Sequence, residues 1–330
     1  VAGGAVQTHV RMQDLLEEMK VADEVGLDVF ALGEHHRPDF IISAPEVILA
    51  AAATITQRIK LSSAVTVLSS ADPVRTFQNF ASLDLISNGR AEIMAGRGSF
   101  IESFPLFGYS LDDYDALFFE KLDLLLKINQ SEKISWKGKF RASLQDQGVY
   151  PRPLQPQLPV WLAIGGTPAS AVRAGKLNLP MTIAILGGAP DRFQPLADLY
   201  RQTARQHGHD VNRLQLAINA HFYVADTTEQ AVEEFYTPYE QLMNRIGRER
   251  GWPPMSREQF EYNRQYGPLM VGSPEELIQK TVRIHRIFGN TRFIYQIIGE
   301  HYIPHEKMLH AIRLLGEVVA PEVKRLTEVK

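Results

Sequence analysis

Short apolar runs rich in β-formers recur along the chain, at Val29 to Gly33, Ile59 to Leu68, Ala91 to Ala95, Pro159 to Ile164, Pro180 to Leu186, Leu214 to Ala225 and Arg292 to Ile298. Most lack strict polar–apolar alternation, the pattern expected of parallel strands covered on both faces. Between them lie amphipathic segments whose starts carry helix-capping chemistry. Ser43 to Glu46 and Ser273 to Glu276 read as capping boxes, and Asp72-Pro73 and Thr167-Pro168 pair an N-cap residue with proline at the first helical position. Asn88-Gly89 and Gly26 read as helix ends. The pattern is strand, cap, helix, repeated.

Repeated βα units build either an open doubly wound sheet or a closed (β/α)8 barrel. The chain enters a helix almost at once, at Val10 to Val25 with Leu15, Leu16, Met19 and Ala22 on one stripe, with no strand ahead of it. A barrel short of one strand exposes two unpaired edges. The expectation is an α/β chain of (β/α)8 class, one domain over residues 1–330, whose first strand precedes Val1. Two stretches exceed ordinary loop lengths and are expected as insertions, about 98–158 and 227–291. The first includes KISWKGKF, which resembles a small hairpin; the second is dense in Gly and Pro near RERGWPPMS, and segments of this kind are either lids or passive surface insertions.

Composition narrows the chemistry. Hydrophobic residues at 45% and charged residues at 22% describe a globular chain with material for a large core. A net charge of −3 offers no electrostatic attraction to nucleic acid or to an anionic membrane surface. With zero cysteines, thiolate nucleophiles, Fe–S clusters and Cys-based zinc sites are excluded. No apolar run approaches the ~20 residues of a membrane span, so the expectation is a soluble, cytoplasmic protein.

Three motifs carry candidate chemistry. In GEHH, Gly33 to His36, the two histidines point to opposite faces of an extended segment and do not readily share a metal, so no metal site is expected. At the carboxyl end of a barrel strand one imidazole enters the mouth while the other packs behind it; two hydrogen-bonded structural histidines is the alternative. In AGRGS, Ala95 to Ser99, an arginine between glycines either meets an oxyanion or faces solvent from a tight turn. In AIGGTPASAV, Ala163 to Val172, Gly165 and Gly166 open the turn, Thr167 caps, and Ser170 lies in the first helical turn, which makes an anion site or simply a well-capped helix. Arg97 and this turn together favour a single phosphate, hence a mononucleotide such as FMN, over a pyrophosphate. His221, within a predicted strand, is a further candidate.

With GEHH, SSAVTVL, ADPVR, SNGRAEIMAGRGS and IGGTPAS in this order, the chain resembles the bacterial luciferase-like, flavin-dependent monooxygenases over nearly its whole length. The resemblance implies a (β/α)8 barrel with reduced FMN from a separate reductase at the carboxyl-end mouth. It also implies oxygenation of a small organic substrate by O2 through a flavin C4a-(hydro)peroxide. It makes His35 the catalytic histidine and His36 its neighbour. Arg97, the Ser99 backbone, Gly166, Thr167 and Ser170 become the phosphate site, and Ala64 and Val65 the bulge under the flavin ring, where a non-prolyl cis peptide is frequent. It implies a homodimer through the helices Pro45 to Thr56 and Pro73 to Ser87. Two alternatives stay open: F420-dependent hydride transfer, and a non-catalytic flavin-binding member. The luciferases proper place cysteine where Gly96 stands, so light emission and aldehyde specificity are not carried over.

Overall fold

The computed structural model describes residues 5–298 and 303–328. The chain divides into two compact units, Val1–Ala163 and Ile164–Lys330. A strand ahead of Val1 lies outside the described residues.

In the first unit, α1 (Ala5–Glu24) leads into β1 (Val29–Leu32), α2 (Pro45–Ala53), β2 (Lys60–Ser63), β3 (Thr66–Val67), α3 (Pro73–Ile86), β4 (Ala91–Gly96), α4 (Ser103–Phe107), α5 (Tyr114–Gln130), β5 (Lys133–Trp136), β6 (Leu144–Gly148) and β7 (Val160–Ile164). Strands β1, β2, β4 and β7 pair in that order, all parallel, with Phe30 opposite Leu61, Leu61 opposite Ala91 and Met94 opposite Trp161. Every residue of β4 is buried, which is why its sequence shows no alternation. The single strand expected over Ile59 to Leu68 is two, β2 and β3, because the chain breaks at Ala64–Val65 and β3 then pairs separately with β4.

Caps of local origin form as expected. The Asp72 carboxylate accepts from the amides of Val74 and Arg75, and Asn88 and Gly89 end α3 at φ 57° and 82°. The Ser43 capping box does not form: Ala44 takes the N-cap of α2, with no side-chain cap bond. The hairpin exists, but its strands are β5 and β6, so KGKF lies in the connection, and Ile134 pairs with Gln147.

In the second unit come α6 (Pro168–Lys176), β8 (Met181–Ala184), α7 (Gln194–Gln206), β9 (Leu216–Val224), α8 (Thr228–Arg250), α9 (Arg257–Gln265), β10 (Met270–Gly272), α10 (Pro274–Phe288), β11 (Arg292–Gln296), α11 (His305–Leu314) and α12 (Ala320–Thr327). Strand β9 pairs in parallel with β8, β11 and, at its last three residues, β10. The stretch 227–291 is therefore ordered structure, with α8, α9 and α10 and a three-residue strand too short for periodicity to reveal. Ser273 caps α10 by accepting from the amide of Glu276. Helices α6 and α7 approach so closely that a Cβ on Gly175 would lie 2.6 Å from the Tyr200 carbonyl oxygen.

One buried carboxylate anchors the approach to β2. Asp23, at the end of α1, accepts from the amides of Gln57, Arg58 and Ile59 at 2.8, 2.8 and 2.7 Å. Burial by itself would raise its pKa, but the three amide donors outweigh it and hold the group low. Replacing Asp23 with alanine strands three donors and should cost about 2–4 kcal/mol, read as a drop in the urea midpoint; an unchanged midpoint would remove this anchoring role.

Candidate active site

The turn after β1 is folded back on itself: the His35 amide donates to the Ile42 carbonyl at 2.8 Å, and the Ala64 amide donates to the last carbonyl of β1, Leu32, at 2.6 Å. The His35 ring stacks on Phe40 at 4.1 Å between centroids and meets Phe100 edge-on at 5.3 Å. A Cβ built on Gly33 would stand 3.2 Å from His35 Nε2 and 3.3 Å from the Ala64 oxygen, so the imidazole and that carbonyl converge over the bare glycine. Desolvation, then the charges of Arg37 and His36, push the His35 pKa down to about 4. The ring is neutral at ordinary pH.

His36 has a different task. Its Nε2 lies 2.8 Å from Glu34 Oε1, and the other oxygen of that carboxylate accepts from the Val67 amide at 2.8 Å. Glu34 thus ties the second histidine to Val67 of β3, two residues beyond the Ala64–Val65 peptide, which is cis as expected of the bulge. The Val65 side chain stands over Gly96: a Cβ there would lie 2.8 Å from both Val65 methyls. The cysteine expected of a luciferase has no room at this position, because Val65 already fills it.

Arg97 is not bare. Its guanidinium pairs with Asp115 at 2.5 Å and lies 5.4 Å from the Tyr114 ring, whose hydroxyl donates to the Gly98 carbonyl at 2.8 Å. Ser99 beside it is exposed. Arg37 ties the turn after β1 to the segment after β4, pairing with Asp39 at 3.1 Å and with Glu102, and stacking over Phe100 at 4.6 Å. Glu34, Phe40, Phe100 and Asp115 were not among the residues expected from sequence; Glu34 stands inside the GEHH motif, whereas the others carry no sequence signal of their role.

In the second unit the turn into α6 is open. Gly166 has φ 123°, and a Cβ on Gly165 would meet nothing. Thr167 takes the N-cap position but its hydroxyl caps no amide; its carbonyl accepts from the Ser170 amide at 3.0 Å. Ser170 is 7% exposed, and its hydroxyl has no hydrogen-bond partner among the described residues. Pro168 has no amide hydrogen and the Ser170 amide is already met, so the Ala169 amide and the Ser170 hydroxyl are the first-turn donors left to an oxyanion such as a phosphate monoester. His221, on β9, is buried and bonds Tyr239 through Nδ1 at 3.2 Å.

The sequence-expected residues thus gather as two sets. His35, His36, Ala64 and Val65 interlock in the first unit, where Arg97 and Ser99 also lie; Gly166, Thr167 and Ser170 form the turn in the second. Among the described residues no helix is long and apolar enough to cross a membrane.

Comparison with known proteins follows the same line. The sequence is 25% identical over 217 residues to the uncharacterized protein y4vJ of Sinorhizobium fredii, covering 65% of this chain and 61% of that protein. It is 26% identical over 315 residues to the limonene 1,2-monooxygenase of Rhodococcus erythropolis, covering 93% of this chain and 80% of that one. Among solved structures, the monooxygenase RslO1 of Streptomyces bottropensis superposes with a TM-score of 0.85 at 23% identity over 95% of this chain and 94% of its own. The oxygenating constituent of 3,6-diketocamphane monooxygenase of Pseudomonas putida, solved with FMN, gives 0.77 at 21% over 97% and 94%. The F420-dependent tetrahydromethanopterin reductase of Methanopyrus kandleri gives 0.74 at 18% over 94% and 95%. These likenesses show a shared fold, in keeping with the (β/α)8 class expected from the sequence. The profile of the luciferase-like monooxygenases matches residues 1–291, and the chain belongs to that family.

Proposed function

We propose that the chain is the oxygenase component of a flavin-dependent monooxygenase that uses reduced FMN, delivered by a separate reductase, to place one atom of O2 on a small organic substrate. The observation that carries the reading is the convergence of the neutral His35 imidazole and the Ala64 carbonyl beside the bulge at Val65. The FMN complex of a neighbour of the same fold supports the choice of cofactor, and the description of that neighbour as an oxygenating constituent supports a reductase partner. Bound reduced FMN supplies the two electrons of the reaction.

The chain's own residues hold and shield. The first turn of α6, with Ser170, suits the phosphate; Arg97, in the first unit, is a separate candidate for it and is partly neutralised by Asp115. Phe40, stacked on the ring, and Phe100, packed beside Phe40 at 5.9 Å, shield one flank of His35 from water. With its pKa near 4, His35 acts in the neutral form, offering Nε2 as a hydrogen-bonding partner to the reacting oxygen. His36, held by Glu34, keeps the bulge in place.

An F420-dependent hydride transfer is the second reading, favoured by the M. kandleri neighbour. A homodimer is also proposed, supported by Val47, Leu85 and Ile86 standing 70%, 47% and 53% exposed on α2 and α3.

Replacing His35 with alanine should lower turnover about 10²–10⁴-fold while flavin titration stays near wild type; unchanged turnover would remove the role. Because the folded pKa lies near 4 and the unfolded one near 6.5, the unfolded chain binds more protons between those values. Stability should therefore fall as pH drops from 6.5 to 4, and His35→Phe should flatten that slope in thermal denaturation. Arg97→Ala should weaken FMN about 10–100-fold and Asp115→Asn should tighten it. The same titration with F420 decides the cofactor: F420 binding more tightly than FMN would replace the first reading with the second. Sedimentation should give a dimer that Val47→Glu dissociates; a wild-type monomer would dismiss the dimer.

A further inference from the structure

Strand β9 is covered almost from end to end: eight of its nine residues are buried, and Asn219 alone is partly exposed. Asparagine is a poor strand residue, because its amide competes with the backbone for hydrogen bonds. Its neighbours across the sheet are Ala184, the last residue of β8, and Ile294 of β11, and both are partly exposed as well. Solvent therefore reaches one row across three parallel strands. That row lies near the carboxyl ends of β8 and β11, the end at which parallel α/β folds bind ligands.

Two amides meet in this row. Asn219 Nδ2 donates to Gln296 Oε1 at 2.7 Å, a diagonal contact on one face, since Gln296 lies two positions beyond Ile294. Two side-chain amides can close a ring of two bonds. Here only one is made, and Asn219 Oδ1 and Gln296 Nε2 have no other partner among the described residues. One row nearer the amino ends, Thr182 of β8 stands on the same face, two residues before Ala184. It is 2% exposed, and its hydroxyl meets no partner among the described residues. An orphaned buried hydroxyl calls for a partner from outside the chain. On the carboxyl side, Gln296 stands opposite His221, whose Nδ1 is taken by the Tyr239 hydroxyl and whose ring burial keeps neutral at ordinary pH. Ala184, Ile294 and His221, the nearest neighbours in the ladders, thus bring no full charge to the amide pair.

We infer that Asn219 and Gln296 form a binding site for an uncharged amide edge, an N–H beside a C=O as in a lactam or imide, with Asn219 Oδ1 accepting from the N–H and Gln296 Nε2 donating to the carbonyl. The two bonds together set the specificity. An ester lacks the donor, an N-alkyl amide blocks it, and a carboxylate offers no proton to Oδ1. Two guests of the proposed oxygenase can bring this edge: the pyrimidine ring of the flavin, and the substrate. Naming the guest rests on the oxygenase reading; recognition of the edge does not.

The test takes the full chain without flavin and titrates glutarimide and N-methylglutarimide, followed by ligand-observed NMR and calorimetry. Glutarimide should bind, and its N-methyl derivative about tenfold more weakly, the ratio that one ordinary hydrogen bond supplies. Gln296→Glu keeps the shape but sets an acceptor against the guest's carbonyl, and should weaken glutarimide about tenfold. Asn219→Ala should bring glutarimide down to the level of its N-methyl derivative. If Asn219→Ala does not fold, Gln296→Glu decides. No glutarimide binding, equal binding of the two probes, or affinities untouched by these substitutions would each overturn the site. A second titration, with reduced FMN and reduced 3-methyl-FMN on the wild type and on Gln296→Glu, names the guest. The edge is the cofactor's if N3-methylation and the substitution both weaken the flavin, and the substrate's in every other case in which glutarimide discriminates. Glutarimide discrimination without any flavin binding sinks the oxygenase reading and leaves the amide site; flavin binding without glutarimide binding sinks the amide site alone.

Discussion

The carboxylate of Glu34 is the joint on which the first unit's site depends. It is nearly buried, at 9% side-chain exposure, and a buried carboxylate persists only when its oxygens are met. One oxygen meets the His36 imidazole and the other the Val67 amide, so a single group binds the turn after β1 to the end of β3. Between those two attachments lie the cis peptide and Val65, whose methyls rest where any side chain at position 96 would have to stand. The GEHH motif is thereby accounted for residue by residue. Gly33 leaves room for the converging Ala64 oxygen, Glu34 ties, His35 presents its ring, and His36 holds the tie.

Charge is distributed around this joint by a simple rule. Where a full charge is kept, a partner faces it: Arg37 meets Asp39 and Glu102, and Arg97 meets Asp115. Where a titratable ring is enclosed without a counter-charge, desolvation drives it neutral, as at His35 and His221. Glu46 shows the mirror effect on a carboxylic acid, its pKa raised by burial and then by the nearby charge of Glu34.

Much of the fold was legible because its causes are local. Asp72 and Ser273 cap their helices through amides two or three residues away, and the continuous apolar runs mark strands buried on both faces. The misses share a different cause. β10 is three residues long and exists because β9 offers it a ladder, not because Met270 to Gly272 prefers to be extended. The break between β2 and β3 is held from Glu34, 33 residues earlier in the chain. Ser43 offered a good local cap, yet the chain enters α2 one residue later, at Ala44.

The site divides in the same way. The sequence by itself determined which residue types were on offer: a histidine pair after one strand, an arginine between glycines after another, and a glycine-threonine-proline entry into a helix. Each is a short stretch whose chemistry is contiguous. Only the tertiary structure decided that His35 is neutral, that His36 serves Glu34, that Arg97 already has Asp115 beside it, and that His221 meets the Tyr239 hydroxyl. Desolvation and the pairing of groups far apart in the chain are properties of the packed protein, and no window along the sequence contains them.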